Sequence, residues 1–259
     1  MPTLEVDGVH LRYREDGAVD APALVLSNSL GADLGMWDAQ VAALSSQFRV
    51  IRYDTRGHGG SAVTAAPYRI ETLARDLLAL LDALEVGRFR FCGLSMGGMT
   101  GMWLGVHAPE RVERLALCNT AAKIGSAEMW NARIAKVREG GMAAISQAVL
   151  ERWFTQDFIA TAGDEIARMR AMMESTPPEG YAGCCAAIRD ADFREDVAAI
   201  GVPTLVIAGA HDGATTPADG RSLDKAIRDS AYVELPAAHL SNVEAAPPFN
   251  RALLAFMTN

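Results

Sequence analysis

Apolar and polar residues recur along the chain with two periods, one typical of strands and one typical of helices. Short apolar runs indicate strands that are covered on both faces, whereas apolar residues three and four positions apart indicate amphipathic helices. The strand-like stretches are a hairpin within Leu4 to Glu15 that turns at Asp7-Gly8, then Ala23 to Ser27, Phe48 to Tyr53, Arg88 to Cys92, Val112 to Asn119, Pro203 to Ala208 and Tyr232 to Leu235. The helix-like stretches are Met36 to Ser46, Ile70 to Leu84, Met99 to His107, Pro217 to Arg228 and Pro247 to Met257.

Strands that alternate with helices at this spacing predict an α/β fold, with a mostly parallel eight-stranded sheet flanked by helices on both faces. The alternation stops between Lys123 and Asp190, where we find only helical patterns and polar joints such as Pro177-Pro178. We therefore predict a core domain of residues 1–122 and 191–259. Residues 123–190 are predicted to be an inserted helical lid on the side of the sheet where ligands bind.

The charge balance limits the classes of partner. The 24 basic and 32 acidic residues give a net charge of -8, which argues against nucleic acid and against an anionic membrane surface as partners. No apolar stretch approaches the ~20 residues that span a bilayer. A local cation in a pocket can still bind an anionic small molecule, and the sequence leaves open whether the chain forms a homo-oligomer.

The cysteines and the N-terminus indicate the compartment. Cys92, Cys118 and the adjacent pair Cys184-Cys185 lack the spacing of a metal site, so we expect no metal and no cofactor. The first residues lack the basic region and apolar core of a signal peptide. We expect a protein of the reducing cytoplasm.

One motif indicates nucleophilic catalysis. Gly93-Leu94-Ser95-Met96-Gly97 reads Gly-x-Ser-x-Gly, between an apolar strand-like run and a helix-like run. A strand that turns sharply into a helix holds the serine on a strained elbow with its hydroxyl exposed. The helix N-terminus directs backbone N–H groups toward the group that the serine attacks. Ser95 is therefore the candidate nucleophile.

A serine needs a base, and the base needs an acid that orients it. On this architecture the order along the chain is serine, acid, histidine, which leaves His211 and His239 among the five histidines. His239 follows the last predicted strand, whereas His211 directly precedes Asp212, the only carboxylate in its loop. We predict that His239 is the general base and that Asp212 holds its imidazole.

The oxyanion formed when an acyl group is attacked needs two hydrogen-bond donors. The backbone N–H of Met96, next to the nucleophile, is one candidate. The backbone N–H of Leu30, in the loop after the Ala23 to Ser27 strand, is the other.

Together these motifs resemble the α/β-hydrolase superfamily. The loop Asp54-Thr55-Arg56-Gly57-His58-Gly59-Gly60-Ser61 also fits its pattern, whereas Asn28-Ser29 replaces the usual His-Gly of the oxyanion loop. The predicted lid is similar to that of the 3-oxoadipate enol-lactonases of protocatechuate and catechol breakdown. The similar segments are Asn119 to Gly125, Trp130 to Ile134, Arg152 to Thr155, Gly180 to Asp192 and Ala237 to Glu244.

The resemblance implies hydrolysis of a cyclic enol ester that carries a free carboxylate. Either Ser95 attacks and forms an acyl-enzyme, or His239 activates water for direct attack. Trp130, Ile134 and Val137 form an apolar helical stripe with Arg133 at its edge. Arg133 is thus placed to bind the carboxylate while Trp130 and Trp153 enclose the ring. Alternatively, Arg133 is a solvated lid residue and the tryptophans belong to the core.

Other activities share these motifs. A carboxylesterase, a carbon–carbon bond hydrolase or a cofactor-free perhydrolase would have the same three residues, and only the lid segments favour the enol-lactonase. Enzymes with a carboxylate nucleophile, such as epoxide hydrolases and haloalkane dehalogenases, are disfavoured by Ser95. A receptor that binds a ligand without turnover is a remote alternative.

Overall fold

The computed structural model describes residues 2–259, which form one eight-stranded sheet with helices around it. The strands are β1 Thr3–Val6, β2 Val9–Asp16, β3 Ala23–Ser27, β4 Arg49–Tyr53, β5 Phe89–Leu94, β6 Val112–Cys118, β7 Thr204–Gly209 and β8 Ser230–Leu235. They are ordered β1-β2-β4-β3-β5-β6-β7-β8 across the sheet. Only the β1–β2 and β2–β4 pairs are antiparallel. The predicted mostly parallel sheet of an α/β fold is confirmed.

Four of the five helices whose bounds were predicted lie close to those positions, and residues 123–190 are helical as expected. They are α1 Asp38–Leu44, α2 Ile70–Ala83, α3 Met96–His107, α4 Ala127–Gly140, α5 Ala143–Trp153, α6 Gln156–Thr161, α7 Gly163–Glu174, α8 Pro178–Asp190, α9 Pro217–Ala226, α10 Ser241–Glu244 and α11 Ala246–Met257. Short 3-10 helices occupy Leu34–Trp37 and Val197–Ala199.

The first helix differs from its prediction. We expected a helix from Met36, but Leu34–Trp37 is a 3-10 helix and α1 begins only at Asp38. The Asp33 carboxylate accepts a hydrogen bond from the Gly35 N–H at 2.8 Å, which caps the tighter turn. Apolar spacing does not separate the two kinds of helix over so few residues.

The core lies on both faces of the central strands. Leu24, Val25 and Leu26 of β3 are fully buried, as expected of a continuous apolar run between two helical layers. On the amphipathic α2, Leu73, Leu77 and the neighbouring apolar residues face the core. Each such side chain contributes roughly 1.5–3 kcal/mol when it leaves water.

Five helices, α4 to α8, lie between β6 and β7. Within the described residues, this segment contains no strand. Helix α4 packs against α8, and α5 packs against α7. The first turn of α8 meets the loop after β4 at two glycines: a Cβ on Gly57, whose φ is +79°, would lie 2.6 Å from the Gly180 Cα. Such an approach requires residues without side chains.

The parallel register sets which loops meet at the carboxyl edge of the sheet. Ser27 of β3 pairs with Gly93 of β5, and Leu94 of β5 pairs with Cys118 of β6. The loops after β3, β5, β6, β7 and β8 therefore lie side by side, and helices α4 to α8 follow the loop that leaves β6 at this edge. Among residues 2–259, no helix combines the length and the apolar character needed to cross a bilayer.

Candidate active site

Ser95 lies at a sharp turn between β5 and α3. Its φ of 57° and ψ of -110° are strained for a residue with a side chain. A Cβ on Gly93 would overlap the Gly97 carbonyl, and a Cβ on Gly97 would overlap the Ser27 carbonyl. The Ser95 N–H donates to the Cys118 carbonyl at 2.9 Å, and the Thr120 hydroxyl donates to the Ser95 carbonyl at 2.8 Å. The sheet and its neighbouring loops thus hold the elbow.

Asp212 and His239 meet across the loops after β7 and β8. The His239 Nδ1 lies 2.8 Å from the Asp212 Oδ2. The buried carboxylate also accepts from the Ala214 and Thr215 N–H groups at 2.8 and 3.0 Å, and from the Thr215 hydroxyl at 2.8 Å. Each polar group that faces Asp212 is thus a donor, which favours an ionised carboxylate.

The pKa of Asp212 reflects opposing causes. Burial alone would raise it, but the attraction of a protonated His239 and the hydrogen bonds from His239, Thr215 and Asn119 together lower the pKa to about 2. The carboxylate therefore stays charged near neutral pH, where it can hold an imidazole and stabilise an imidazolium.

Asn119, directly after β6, joins both loops and was not among the predicted site residues. Its Nδ2 donates to the Asp212 Oδ2 at 3.1 Å and to the Ala238 carbonyl at 3.2 Å, and its Oδ1 accepts from the Ser241 hydroxyl at 2.5 Å. Its φ is +43°. A polar residue directly after a buried strand is the sequence signal that could have identified it.

The two predicted oxyanion donors lie on the loop after β3 and at the start of α3, and these two segments are bonded to each other. Leu30 lines the cavity beside Ser95, and within residues 2–259 its N–H donates to no backbone carbonyl. Met96 begins α3, and the next residue, Gly97, donates from its N–H to the Asn28 carbonyl at 3.1 Å. The loop after β3 is therefore fixed against the helix N-terminus.

His58 fixes the same loop from the other side. Its Nε2 accepts the Gly31 N–H at 2.9 Å, which requires that this nitrogen carries no proton. Burial lowers the pKa of His58 to about 4 despite the nearby Arg56 carbonyl and Asp33. The imidazole is therefore neutral at ordinary pH.

The cavity over Ser95 has a volume of about 320 Å³. Six of the eight predicted site residues line it: Ser95, His239, Leu30, Arg133, Trp130 and Trp153. Met96 and Asp212 are buried and are not among the lining residues, and the rejected alternative base His211 is exposed and also outside the lining. The structure thus brings together side chains that are far apart in the sequence. Within residues 2–259, no cluster of three or more His, Cys, Asp or Glu could hold a metal ion.

The wall that helices α4, α5 and α8 contribute is cationic and aromatic. The Arg133 Nη1 donates to the Tyr181 hydroxyl at 3.3 Å, and its guanidinium carbon lies 5.5 Å from the centre of a Trp130 ring. The Trp130 Nε1 in turn donates to the Ile124 carbonyl at 2.7 Å. Both tryptophans are buried, so they are part of the core and also line the cavity.

A second arginine, Arg152, was missed by the sequence analysis. It lines the cavity next to Trp153 and also borders an adjoining groove. Burial and the neighbouring positive charge of Arg133 lower the pKa of Arg152. In the part of the chain that the structure describes, the cavity lining includes these two arginines and no aspartate or glutamate. The position of Arg152 directly before Trp153 is the sequence signal that could have identified it.

Comparisons with known proteins agree with this geometry. Residues 22–246 match the family described as alpha/beta hydrolase fold. The chain is 46% identical to 3-oxoadipate enol-lactonase 2 of Acinetobacter baylyi, with 98% of this chain and 96% of that protein covered. It is 41% identical to 3-oxoadipate enol-lactonase 1 of the same organism, with 96% and 94% covered.

A solved structure is also similar. The enol-lactonase from Burkholderia xenovorans superposes with a TM-score of 0.99 at 52% identity, and the match covers 100% of both chains. The resemblance expected from the elbow, the loops and the lid segments is confirmed, and the chain belongs to the alpha/beta hydrolase fold family.

Proposed function

We propose that this protein is a serine hydrolase that opens 3-oxoadipate enol-lactone to 3-oxoadipate. The observation that carries the proposal is one cavity that holds Ser95 and His239 together with two arginines and no acidic side chain. Two cations in one cavity of a protein whose net charge is -8 support an anionic ligand. The full-length relatives named enol-lactonases support the same substrate.

Ser95 attacks the lactone carbonyl while His239 takes the proton of the hydroxyl. The N–H groups of Leu30 and Met96 stabilise the oxyanion, and Asp212 stabilises the imidazolium. The ring C–O bond then breaks, and the enol oxygen receives the proton from His239. The enol tautomerises to the ketone of 3-oxoadipate. Water, activated by His239, hydrolyses the acyl-enzyme and releases the second carboxylate.

In a lactone the enol leaving group stays attached to the acyl group after the ring opens. A one-step alternative therefore exists, in which His239 activates water for direct attack on the lactone carbonyl. The two routes differ in whether the substrate is ever bonded to Ser95. Rapid acid quench followed by mass measurement would detect the acyl-enzyme as added mass on the peptide that contains Ser95.

The free carboxylate of the substrate binds at the arginine end of the cavity. Arg133 is half-buried and fixed by Tyr181 and Trp130, so its orientation is set before the substrate arrives. Arg152, beside the adjoining groove, adds a second cation. Trp130 and Trp153 enclose the ring. Since all four residues come from the insertion 123–190, we propose that this segment acts as a lid domain that selects the substrate.

The reducing cytoplasm is the compartment that we propose. All four cysteines are free and buried, and the sulfurs of Cys92 and Cys118 lie 3.7 Å apart without a bond between them. Free, buried thiols fit a reducing compartment.

The test is steady-state hydrolysis of 3-oxoadipate enol-lactone and of a neutral phenyl ester, by the wild type and by Ser95→Ala. We expect a strong preference for the lactone, and a loss of activity by up to roughly a million-fold in the variant. Good turnover of the ester with negligible lactone activity would reject the substrate but keep the nucleophile. Retention of more than a few per cent of activity by Ser95→Ala would reject the nucleophile.

A further inference from the structure

The carboxylate of Glu244 joins the loop that carries His239 to the lid. Glu244 ends α10, five residues after His239. Its Oε2 accepts the Ala238 N–H at 2.9 Å. Both carboxylate oxygens accept the Thr155 N–H at 3.3 Å, and the Thr155 hydroxyl makes a very short contact with Oε1. One half-buried side chain therefore bonds to two segments that are more than eighty residues apart.

The other side of His239 is bonded to the same part of the lid. The Leu240 N–H donates to the Trp153 carbonyl at 3.0 Å. Both backbone neighbours of His239 are thus held, Ala238 by Glu244 and Leu240 by Trp153. Trp153 also lines the cavity, so the segment that holds the loop is one that touches the substrate in the proposed function.

We propose that Glu244 is a positioning residue. Through its hydrogen bonds to Ala238 and Thr155, it couples the position of His239 to the position of the lid. The inference rests on the proposed role of His239 as base. Hydrogen bonds to a charged carboxylate are stronger than those between neutral groups, so this link resists displacement of the loop. A misplacement of about 1 Å in a reacting group can cost about 100-fold in rate, which is why the backbone of a base needs such support.

The experiment measures how fast a neutral fluorophosphonate labels Ser95, because labelling needs the serine and its base but not the lactone. We expect Glu244→Ala to lower the labelling rate constant by about 10- to 100-fold. Glu244→Gln, which keeps an acceptor oxygen and the shape, should recover part of that loss. Glu179→Gln changes an exposed lid carboxylate that pairs with Arg138, and it serves as the matched control.

The Thr155 end of the link gives an independent readout. Thr155→Val removes the hydroxyl and should lower the labelling rate, whereas Thr155→Ser should restore it. If Glu244 and Thr155 act through one link, Glu244→Ala combined with Thr155→Val should lose little more than Glu244→Ala alone. Independent, fully additive losses would contradict a shared link.

A purely structural role predicts a different pattern. Glu244→Ala and Glu244→Gln would then unfold at lower temperature, but the folded protein would be labelled within about twofold of the wild-type rate, which would overturn the proposal. The proposal also fails if the wild type is not labelled at all. Normal labelling of the wild type with no turnover of the lactone would reject the substrate of the proposed function, while the comparison of variants still decides the role of Glu244.

Discussion

At the scale of single residues, the site combines a strained serine, a fully bonded carboxylate and a pair of arginines. The first two could be expected from the loops in which they lie, because the order of strands determines which loops meet. The arginine pair has a different origin: Arg133 and Arg152 come from two lid helices that only the tertiary fold brings to one cavity. Since like charges that are close together repel, an anion bound between them would relieve this repulsion.

Replacement of either arginine should therefore affect the charged substrate selectively. Charge-assisted hydrogen bonds contribute about 1.5–3 kcal/mol, so we expect Arg133→Ala or Arg152→Ala to raise KM for the enol-lactone roughly 10- to 100-fold. A neutral phenyl ester should be hydrolysed at close to the wild-type rate. Arg138→Ala, which removes an exposed lid arginine paired with Glu179, is the control. Equal losses on both substrates would indicate a damaged lid instead.

Asp212→Asn tests the carboxylate at almost constant shape. The five groups that face Asp212 all donate hydrogen bonds, so an amide N–H₂ there would meet donors or force the imidazole into the wrong tautomer. We expect kcat to fall by about 10⁴-fold, and the protein to lose some stability as well. The measurement is kcat at neutral pH, corrected for the folded fraction from thermal unfolding. Activity within tenfold of the wild type would contradict the assignment of Asp212 as the acid.

At the scale of elements, the position of helix α8 depends on a close contact between two backbone segments. The start of α8 meets the loop after β4 at Gly57 and Gly180, where backbone touches backbone. Backbone atoms cannot move aside as the end of a flexible side chain can. The position of α8, and with it Tyr181 and the guanidinium of Arg133, is thus fixed by the absence of two side chains.

Gly180→Ala should displace the lid. The added Cβ would lie 2.5 Å from the Gly57 Cα and would overlap the Gly57 carbonyl. Overpacking of this kind costs about 1–3 kcal/mol, and we expect the free energy of unfolding to fall by that amount and KM for the lactone to rise. Gly163→Ala, at the start of α7 with nothing within 4 Å of the new Cβ, is the matched control. Urea unfolding and steady-state kinetics are measured on both variants. If Gly180→Ala and Gly163→Ala have the same free energy of unfolding and the same KM, the close contact does not fix the position of α8.

The sequence predicted the helices and strands better than it predicted the contacts between them. The apolar run Ala23–Ser27 became β3 with the same bounds, since a strand covered on both faces leaves a continuous apolar pattern. The 3-10 helix at Leu34–Trp37 was missed because its signal is the single side-chain cap of Asp33. Asn119, Arg152 and Glu244 were missed as site residues because their partners lie far away in the chain, and periodicity carries no information about such contacts.

At the scale of the whole molecule, the buried polar groups link the stability of the fold to pH. His58 is fully buried and its Nε2 accepts the Gly31 N–H, so the fold holds the neutral imidazole. An unfolded chain has no such requirement, and its histidine takes up a proton near the ordinary pKa of about 6.5. The folded protein takes up that proton only when the pH falls to about 4.

The two pKa values of His58, folded and unfolded, determine how stability changes with pH. Since the folded pKa lies below the unfolded one, the unfolded state binds the extra proton first as the pH falls. The contribution of His58 to stability is therefore complete above pH 6.5 and is lost progressively between about 6.5 and 4, by about 3 kcal/mol in total. Loss of the Gly31 contact would also loosen the loop that carries the Leu30 N–H, so activity should decline over the lower part of the same range.

Urea unfolding of the wild type and of His58→Gln, at several pH values from 7 down to 4.5, measures this contribution. We expect the free energy of unfolding of the wild type to fall more steeply with decreasing pH than that of the variant. The variant should be less stable at pH 7, because the buried acceptor for the Gly31 N–H is altered, and the gap should narrow as the pH falls. His10→Gln, which removes an exposed histidine on β2, is the matched control. Parallel pH curves for the wild type and His58→Gln would show that protonation of His58 does not limit the stability of the fold in acid.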